Sequence, residues 1–236
     1  VTNFSAKRML GGTGTLLGPS LNTQFNSVVE LIEISLPTFA ESALQKNISN
    51  ENGLNSHLTL FISKVARQKD LPFIAQHQSM EDLTRGDSPA PDIGIHLYVD
   101  DDAEPPPKIT VFEGKRLTST LGKERRQEYV IGHEKDGKHI PCGGIERFKC
   151  AIHGGDFTHA GMIGYIQEET QENWRKSINT WISDLCNQPF EPAWSEEEHL
   201  TYQMSDGKVT KSSSLVHRTG SELNLTHLWV NLVLFR

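Results

Sequence analysis

The chain has 236 residues, of which 36% are hydrophobic and 22% charged, and its formal net charge is -7. That is the composition of a globular protein of one large or two small domains; no apolar run is long enough to span a bilayer, and the first residues lack the charged-then-apolar pattern of a secretory signal. Cys142, Cys150 and Cys186 make an odd count, which argues against a disulfide framework and for a cytoplasmic protein, while the negative total gives no bulk attraction to nucleic acid.

In chain order, Gly11 to Ser20 is glycine-rich. It lacks the Gly-Lys-Ser/Thr of a phosphate loop and a preceding strand, and reads as a flexible turn. Leu21 to Leu44 carries a helical apolar face on Phe25, Val28, Val29, Leu31 and Ile32. Pro37 falls inside it, which predicts a break into two helices. Asn50-Glu51-Asn52-Gly53 opens a second helix, with Leu54, Leu58, Phe61, Ile62 and Val65 at helical spacing. Leu71 to Gln78 reads as a strand, and residues 79 to 90 as a polar loop in which Arg85-Gly86-Asp87 is a turn.

Pro91 to Leu117 is the most informative stretch. Ile93-Gly94-Ile95-His96-Leu97-Tyr98-Val99 and Lys108-Ile109-Thr110-Val111-Phe112 are short β-rich runs, joined by a link holding Asp100 to Asp102 and Pro105 to Pro107. The pattern predicts an antiparallel hairpin. Glu113 and Lys115, two apart on a strand, share a face. Gly114 between them leaves the backbone carbonyl open to approach. The plain alternative is an exposed hairpin with a surface ion pair worth about 0.2–1 kcal/mol.

Leu121 to Ile131 reads as a polar helix or helical turn, Lys135-Asp136-Gly137-Lys138 as a turn, and Gly143 to Ile152 as another helix. His139, Cys142, Cys150 and His153 have ligand types that zinc accepts in paired spacing, but the intervening loop is short for a finger and zinc is disfavoured. His159 to Gln167 predicts a buried strand, Glu168 to Asn187 an amphipathic helix, and Pro189 to Glu198 a linker. Residues 199 to 236 alternate as strands, with a hairpin turn at Asp206-Gly207 and a long apolar strand from Leu228 to Phe235. From Lys108 to Cys150 ten basic residues face six acidic ones, a net +4, so the remainder of the chain carries -11. The basic excess directly follows the Glu-Gly-Lys strand, where a phosphate backbone would lie.

Pro91-Asp92, a spacer, and Glu113-Gly114-Lys115 resemble the signature of the PD-(D/E)xK, restriction-endonuclease-like nucleases. The element order independently fits the αβββαβ core that the resemblance implies. The implied fold is α/β with a mixed sheet: an N-terminal helical segment over 1–48, the nuclease core over 49–188, and a C-terminal β extension over 199–236. The resemblance implies that Asp92 and Glu113, with the Gly114 carbonyl, hold Mg²⁺, that Mn²⁺ substitutes for it, and that Lys115 orients or activates water. Glu51 is its candidate further ligand, and a glutamate favoured by a helix N-terminus is the alternative for that residue. Arg116, Lys123, Arg125, Arg126, Arg147 and Lys149 are the expected nucleic-acid contacts. The implied function is cleavage of DNA, with RNA left open, in restriction or phage defence, by a homo-oligomer or a subunit of a defence complex. A catalytically silent nucleic-acid-binding or sensor module, and a protein that recruits partners through its C-terminal strands, are the other classes.

Overall fold

The computed structural model describes residues 21–98 and 105–233; the glycine-rich start, Asp100 to Asp102 of the hairpin link, and the last three residues lie outside them. In order come α1 (Leu21–Gln45), α2 (Glu51–Gln68), β1 (Phe73–His77), β2 (Ile93–Leu97), β3 (Lys108–Leu117), α3 (Lys123–Gln127), β4 (His133–Lys135), β5 (Lys138–Ile140), α4 (Gly144–Lys149), β6 (His159–Ile166), α5 (Gln171–Cys186), β7 (Thr201–Ser205), β8 (Val209–Arg218) and β9 (Ser221–Asn231). Helix, three strands, helix, strand is the order expected from 49 to 166, with the β4–β5 ribbon inserted.

Seven strands form one mixed sheet in the order β1-β2-β3-β6-β9-β8-β7. β2 and β3 pair antiparallel, as expected of the hairpin, and β6 runs parallel to β3. The C-terminal strands continue the same sheet: β9 lies parallel to β6 on one side and antiparallel to β8 on the other. The predicted last strand begins seven residues earlier than its apolar run, at Ser221 rather than Leu228. Polar residues such as Glu222 and Asn224 hide that start, because they occupy the exposed rows of a strand whose alternate residues, Leu223 and Leu225, are buried.

Helices cover both faces of the sheet. On one, Phe25, Leu36 and Phe39 of α1 and Leu54, Leu58 and Ile62 of α2 pack on Phe112, Ile163, Tyr165 and Leu228. On the other, Ile145 and Phe148 of α4 and Trp174, Ile178 and Ile182 of α5 pack on Val111, Leu117, Met162 and Trp229. The alternation along β3 therefore sends Phe112 towards α1 and α2, and Val111 and Leu117 towards α4. Two expectations for the helices are corrected. α1 is one continuous helix of 25 residues through Pro37, because Leu36, Phe39, Ala40 and Ala43 on both sides of the proline are buried in the same core, and that packing outweighs the lost hydrogen bond. α4 is six residues long, not ten, and the chain then turns through Ala151 at a positive φ of 54°.

The Asp136-Gly137 turn has φ of 52° and 71°, the left-handed pair that suits a tight two-residue hairpin between β4 and β5. Tyr129, read as part of a polar helical turn, is instead buried after α3. Its hydroxyl accepts from Trp229 Nε1 at 2.8 Å. Indole nitrogen only donates, so the Tyr129 proton goes to His227 Nδ1 at 2.9 Å, and His227 Nε2–H donates to Ser214 Oγ at 2.9 Å.

Burial pushes the His227 pKa down to about 3. An unfolded chain protonates this imidazole near its ordinary value of about 6.5. Between those two pH values the unfolded state binds the extra proton, so stability falls as pH drops through that window, by up to about 5 kcal/mol. His227→Gln is expected to flatten the dependence of unfolding free energy on pH between about 6.5 and about 3, read from urea unfolding at a series of pH values.

Candidate active site

β3 outruns its neighbour. The last β2 pairing is Ile93 with Phe112, so Glu113 to Leu117 have no strand on that side, while β6 continues to pair with them as far as Leu117. The backbone groups facing the gap belong to alternate residues, Gly114 and Arg116. Two carboxylates fill it. Asp92, the residue before β2, accepts from Gly114 N–H through Oδ2 at 2.9 Å. Glu51, in the first turn of α2, accepts from Arg116 N–H through Oε2 at 3.3 Å. Asn50 caps the N-terminus of α2, its Oδ1 accepting from Gly53 N–H at 2.8 Å. The Gly114 carbonyl opens on the same side as its N–H.

Glu113 and Lys115 lie on the α4 side of β3, and both are buried, at 0% and 6% exposure. The exposed surface pair is thereby ruled out. Lys115 Nζ stands 3.0 Å from Glu113 Oε1 and 3.2 Å from Glu51 Oε1. Arg147 of α4 donates from Nη1 to the same Glu113 Oε1 at 2.6 Å. His153 Nδ1 lies 3.2 Å from Glu113 Oε2. His153 thus faces the second Glu113 oxygen, with both side chains buried.

The charges set the protonation states. Burial would raise the Glu113 carboxyl, but Lys115, His153 and Arg147 outweigh it and hold the group well below the usual carboxylate range. Burial would lower the Lys115 ammonium, but Glu113, Glu51 and Asp92 outweigh it and hold the pKa above the ordinary lysine value. Asp92, displaced from water and beside the Glu113 charge, is pushed up to about 7. Glu113 is therefore ionised, Lys115 charged, and Asp92 poised between its two forms near neutrality.

Of the expected site residues, Asp92 is joined to Gly114, and Glu113 and Glu51 are joined through Lys115, but the three carboxylates do not all lie within 4.8 Å of one another. Arg147 joins them through Glu113. Arg116 borders an open cleft of ≈ 510 Å³ lined by Ser49, Thr118, Thr120 and Gln167, and its Nη1 donates to Ser49 O at 3.4 Å. Arg125 and Arg126 are exposed on α3, bound to Glu128 and to the Leu121 carbonyl; the Lys123 side chain lies outside the described residues. Lys149 must be withdrawn as a nucleic-acid contact. It is 1% exposed, with Nζ 2.6 Å from the equally buried Glu198 and 3.0 Å from the His217 carbonyl. Of the four residues at which zinc is disfavoured by spacing, His139 lies against Glu134 and Glu146, and His153 against Glu113.

Sequence reading missed three supports. Arg218, at the end of β8, donates to the carbonyls of Phe148, Gly154 and Phe157 at 2.7, 3.0 and 3.2 Å. Glu81 accepts from Gly154 N–H at 2.6 Å. Together they fix the loop that carries His153. Asn55, one turn into α2, accepts from the Tyr165 hydroxyl at 2.7 Å and presses on Gly114. None of these has a local sequence signal, since their partners lie 64, 73 and 110 residues away.

No family model, curated protein or solved structure matches this chain.

Gly114 has a second reason to be glycine, besides exposing its carbonyl. A Cβ there would sit 1.9 Å from Asn55 Oδ1. Gly114→Ala is expected to destabilise the protein by about 1–3 kcal/mol through this overlap. In a double-mutant cycle with Asn55→Ala, the two losses, measured by denaturant unfolding, should be less than additive, because Asn55→Ala removes the atom that Cβ meets.

Proposed function

We propose that this chain is a divalent-metal-dependent nuclease that hydrolyses DNA phosphodiester bonds, built on a restriction-endonuclease-like core. The observation that carries the reading is the linked set at the gap beside β3: Asp92 on the Gly114 amide, and Lys115 paired with both Glu51 and the buried Glu113. Hard divalent cations take carboxylate and carbonyl oxygens. Asp92, Glu113 and the Gly114 carbonyl would hold Mg²⁺, or Mn²⁺ in its place, while Glu51, bonded to Lys115 and to the Arg116 amide, would serve it through Lys115. The like charge that raises Asp92 is the one a cation would neutralise. When bound, the cation supplies Lewis-acid stabilisation of charge on the phosphate.

The chain's own residues divide the remaining work. Lys115 is held charged by three carboxylates, so it serves as a donor that orients water and offsets charge on the phosphate, and not as the base that takes the proton. Arg147, partly exposed beside Glu113, and Arg116, at the neighbouring cleft, are placed for phosphate oxygens. Exposed Arg125 and Arg126 extend that cationic side along the path of a backbone.

Glu113→Ala is a poor first test, because it takes one carboxylate partner from the buried Lys115 and the acceptor from Arg147 and so costs stability as well as chemistry. Asp92→Asn keeps shape and one acceptor. Plasmid DNA is expected to be cut by the wild-type protein with Mg²⁺ or Mn²⁺, spared with EDTA, and spared by Asp92→Asn at unchanged far-UV circular dichroism. Cleavage by Asp92→Asn at the wild-type rate would remove Asp92 from the site.

Asp92 also sets a pH dependence. Its carboxylate form grows as pH rises through about 7, and only that form holds a cation well. Mn²⁺ affinity measured by calorimetry is expected to rise from about pH 6 to about pH 8 in the wild type, with a much flatter profile in Asp92→Asn.

A further inference from the structure

A second group of ligand-type side chains meets away from β3. Glu128 follows α3, His133 opens β4, and Cys142 lies between β5 and α4. Their ligand atoms all fall within 4.8 Å of one another, and the three side chains are half-buried. Cys142 Sγ is 3.3 Å from His133 Nδ1, and Glu128 Oε1 is 3.7 Å from the same nitrogen. The other Glu128 oxygen is taken by Arg125 Nε at 3.3 Å, which turns Oε1 towards the histidine.

The arrangement does not suit a nucleophilic relay. In a Cys-His-Glu relay the thiol and the carboxylate engage opposite ring nitrogens, one accepting and one donating. Here both approach Nδ1, and one nitrogen cannot serve the two with a single proton. Three ligand atoms around a common point are what an ion needs. At zinc bond lengths of about 2.3 Å to sulfur and about 2.0–2.2 Å to nitrogen and oxygen, tetrahedral neighbours stand roughly 3.3–3.6 Å apart. The two spacings to His133 Nδ1, 3.3 and 3.7 Å, lie close to these, and the Glu128–Cys142 spacing is within 4.8 Å.

We propose that Glu128, His133 and Cys142 form a binding site for a zinc-class divalent cation, with three protein ligands and a fourth position open to solvent. Thiolate and imidazole select such a metal over Mg²⁺, so this site and the carboxylate site on β3 would take different ions. The set shares only Cys142 with the four residues singled out by spacing. Spacing alone could not find it, because Glu128 contributes from the end of a five-residue helix and not from a Cys/His pair.

The site has a structural consequence. Gly144 N–H donates to the Glu128 carbonyl at 2.8 Å, so the three ligands surround the start of α4. An ion held there would clip α3, the β4–β5 ribbon and α4 together, and α4 carries Arg147 onto Glu113.

Co²⁺, which reports thiolate ligation by a near-ultraviolet charge-transfer band, is the probe. It is titrated into the full chain after chelator treatment under reducing conditions. Wild type is expected to bind one equivalent with that band and with the visible absorption of a tetrahedral site, both abolished by added Zn²⁺. Cys142→Ser should lose the charge-transfer band, His133→Ala should weaken binding by more than about tenfold, and Cys186→Ser and Asp92→Asn should keep both signals. Far-UV circular dichroism of each variant separates loss of metal from loss of fold, and His133→Ala decides the matter should Cys142→Ser not fold. Absence of the band in wild type, or its survival in Cys142→Ser, overturns the proposal. The Asp92→Asn arm keeps this outcome independent of the nuclease reading.

Discussion

A carboxylate buried in the middle of a sheet is tolerable only if cations come to it. Glu113 has no solvent exposure, and its charge is met by Lys115 from its own strand and Arg147 from α4, while His153 from the loop that follows faces its second oxygen. An isolated charge in that position would be heavily penalised. The compensation ties together pieces of chain that are otherwise remote. α4 must be docked with Arg147 inward, and the loop after it must be held by Arg218 from β8 and Glu81 from the loop after β1. Glu51 must reach the same lysine from α2. The architecture around β3 follows from satisfying one side chain.

The same physics explains what a reader of the sequence could see. Strands β1, β2, β3 and β6 and helices α2 and α5 announce themselves through apolar periodicity, which is a local property. The Asp-spacer-Glu-x-Lys pattern is local too, and it led to the residues that cluster. Lys149 shows the limit. In the string it is one more cation near Arg147, yet two positions on a short helix separate the side chain aimed at Glu113 from Lys149, which ends opposite a buried Glu198. Its environment is written in residues 198 and 217, beyond any window. Pro37 shows the converse. A local rule was right about the missing hydrogen bond and wrong about the helix, because burial of four neighbouring side chains decided the outcome.

The gap beside β3 shows how a site arises from unequal strand lengths. A partner strand extending past Ile93 would have used the Gly114 and Arg116 amides in ordinary ladder bonds. Its early end leaves those donors to Asp92 and Glu51. Backbone hydrogen bonding thus positions two acids with no further device, and it does so at the point where the side-chain alternation also delivers Glu113 and Lys115.

The place of β9 carries a consequence for how the molecule is made. It stands between β6 and β8, in the interior of the sheet, although it follows every other strand in the chain. During synthesis the β6 edge, with Met162, Ile163 and Tyr165 beside it, therefore waits uncovered while some sixty further residues are added, roughly 3–12 seconds at bacterial to eukaryotic elongation speeds. The half-sheet formed meanwhile has an apolar rim open to pairing with any extended segment. Its folding is governed by long-range pairing and so belongs to the slow class.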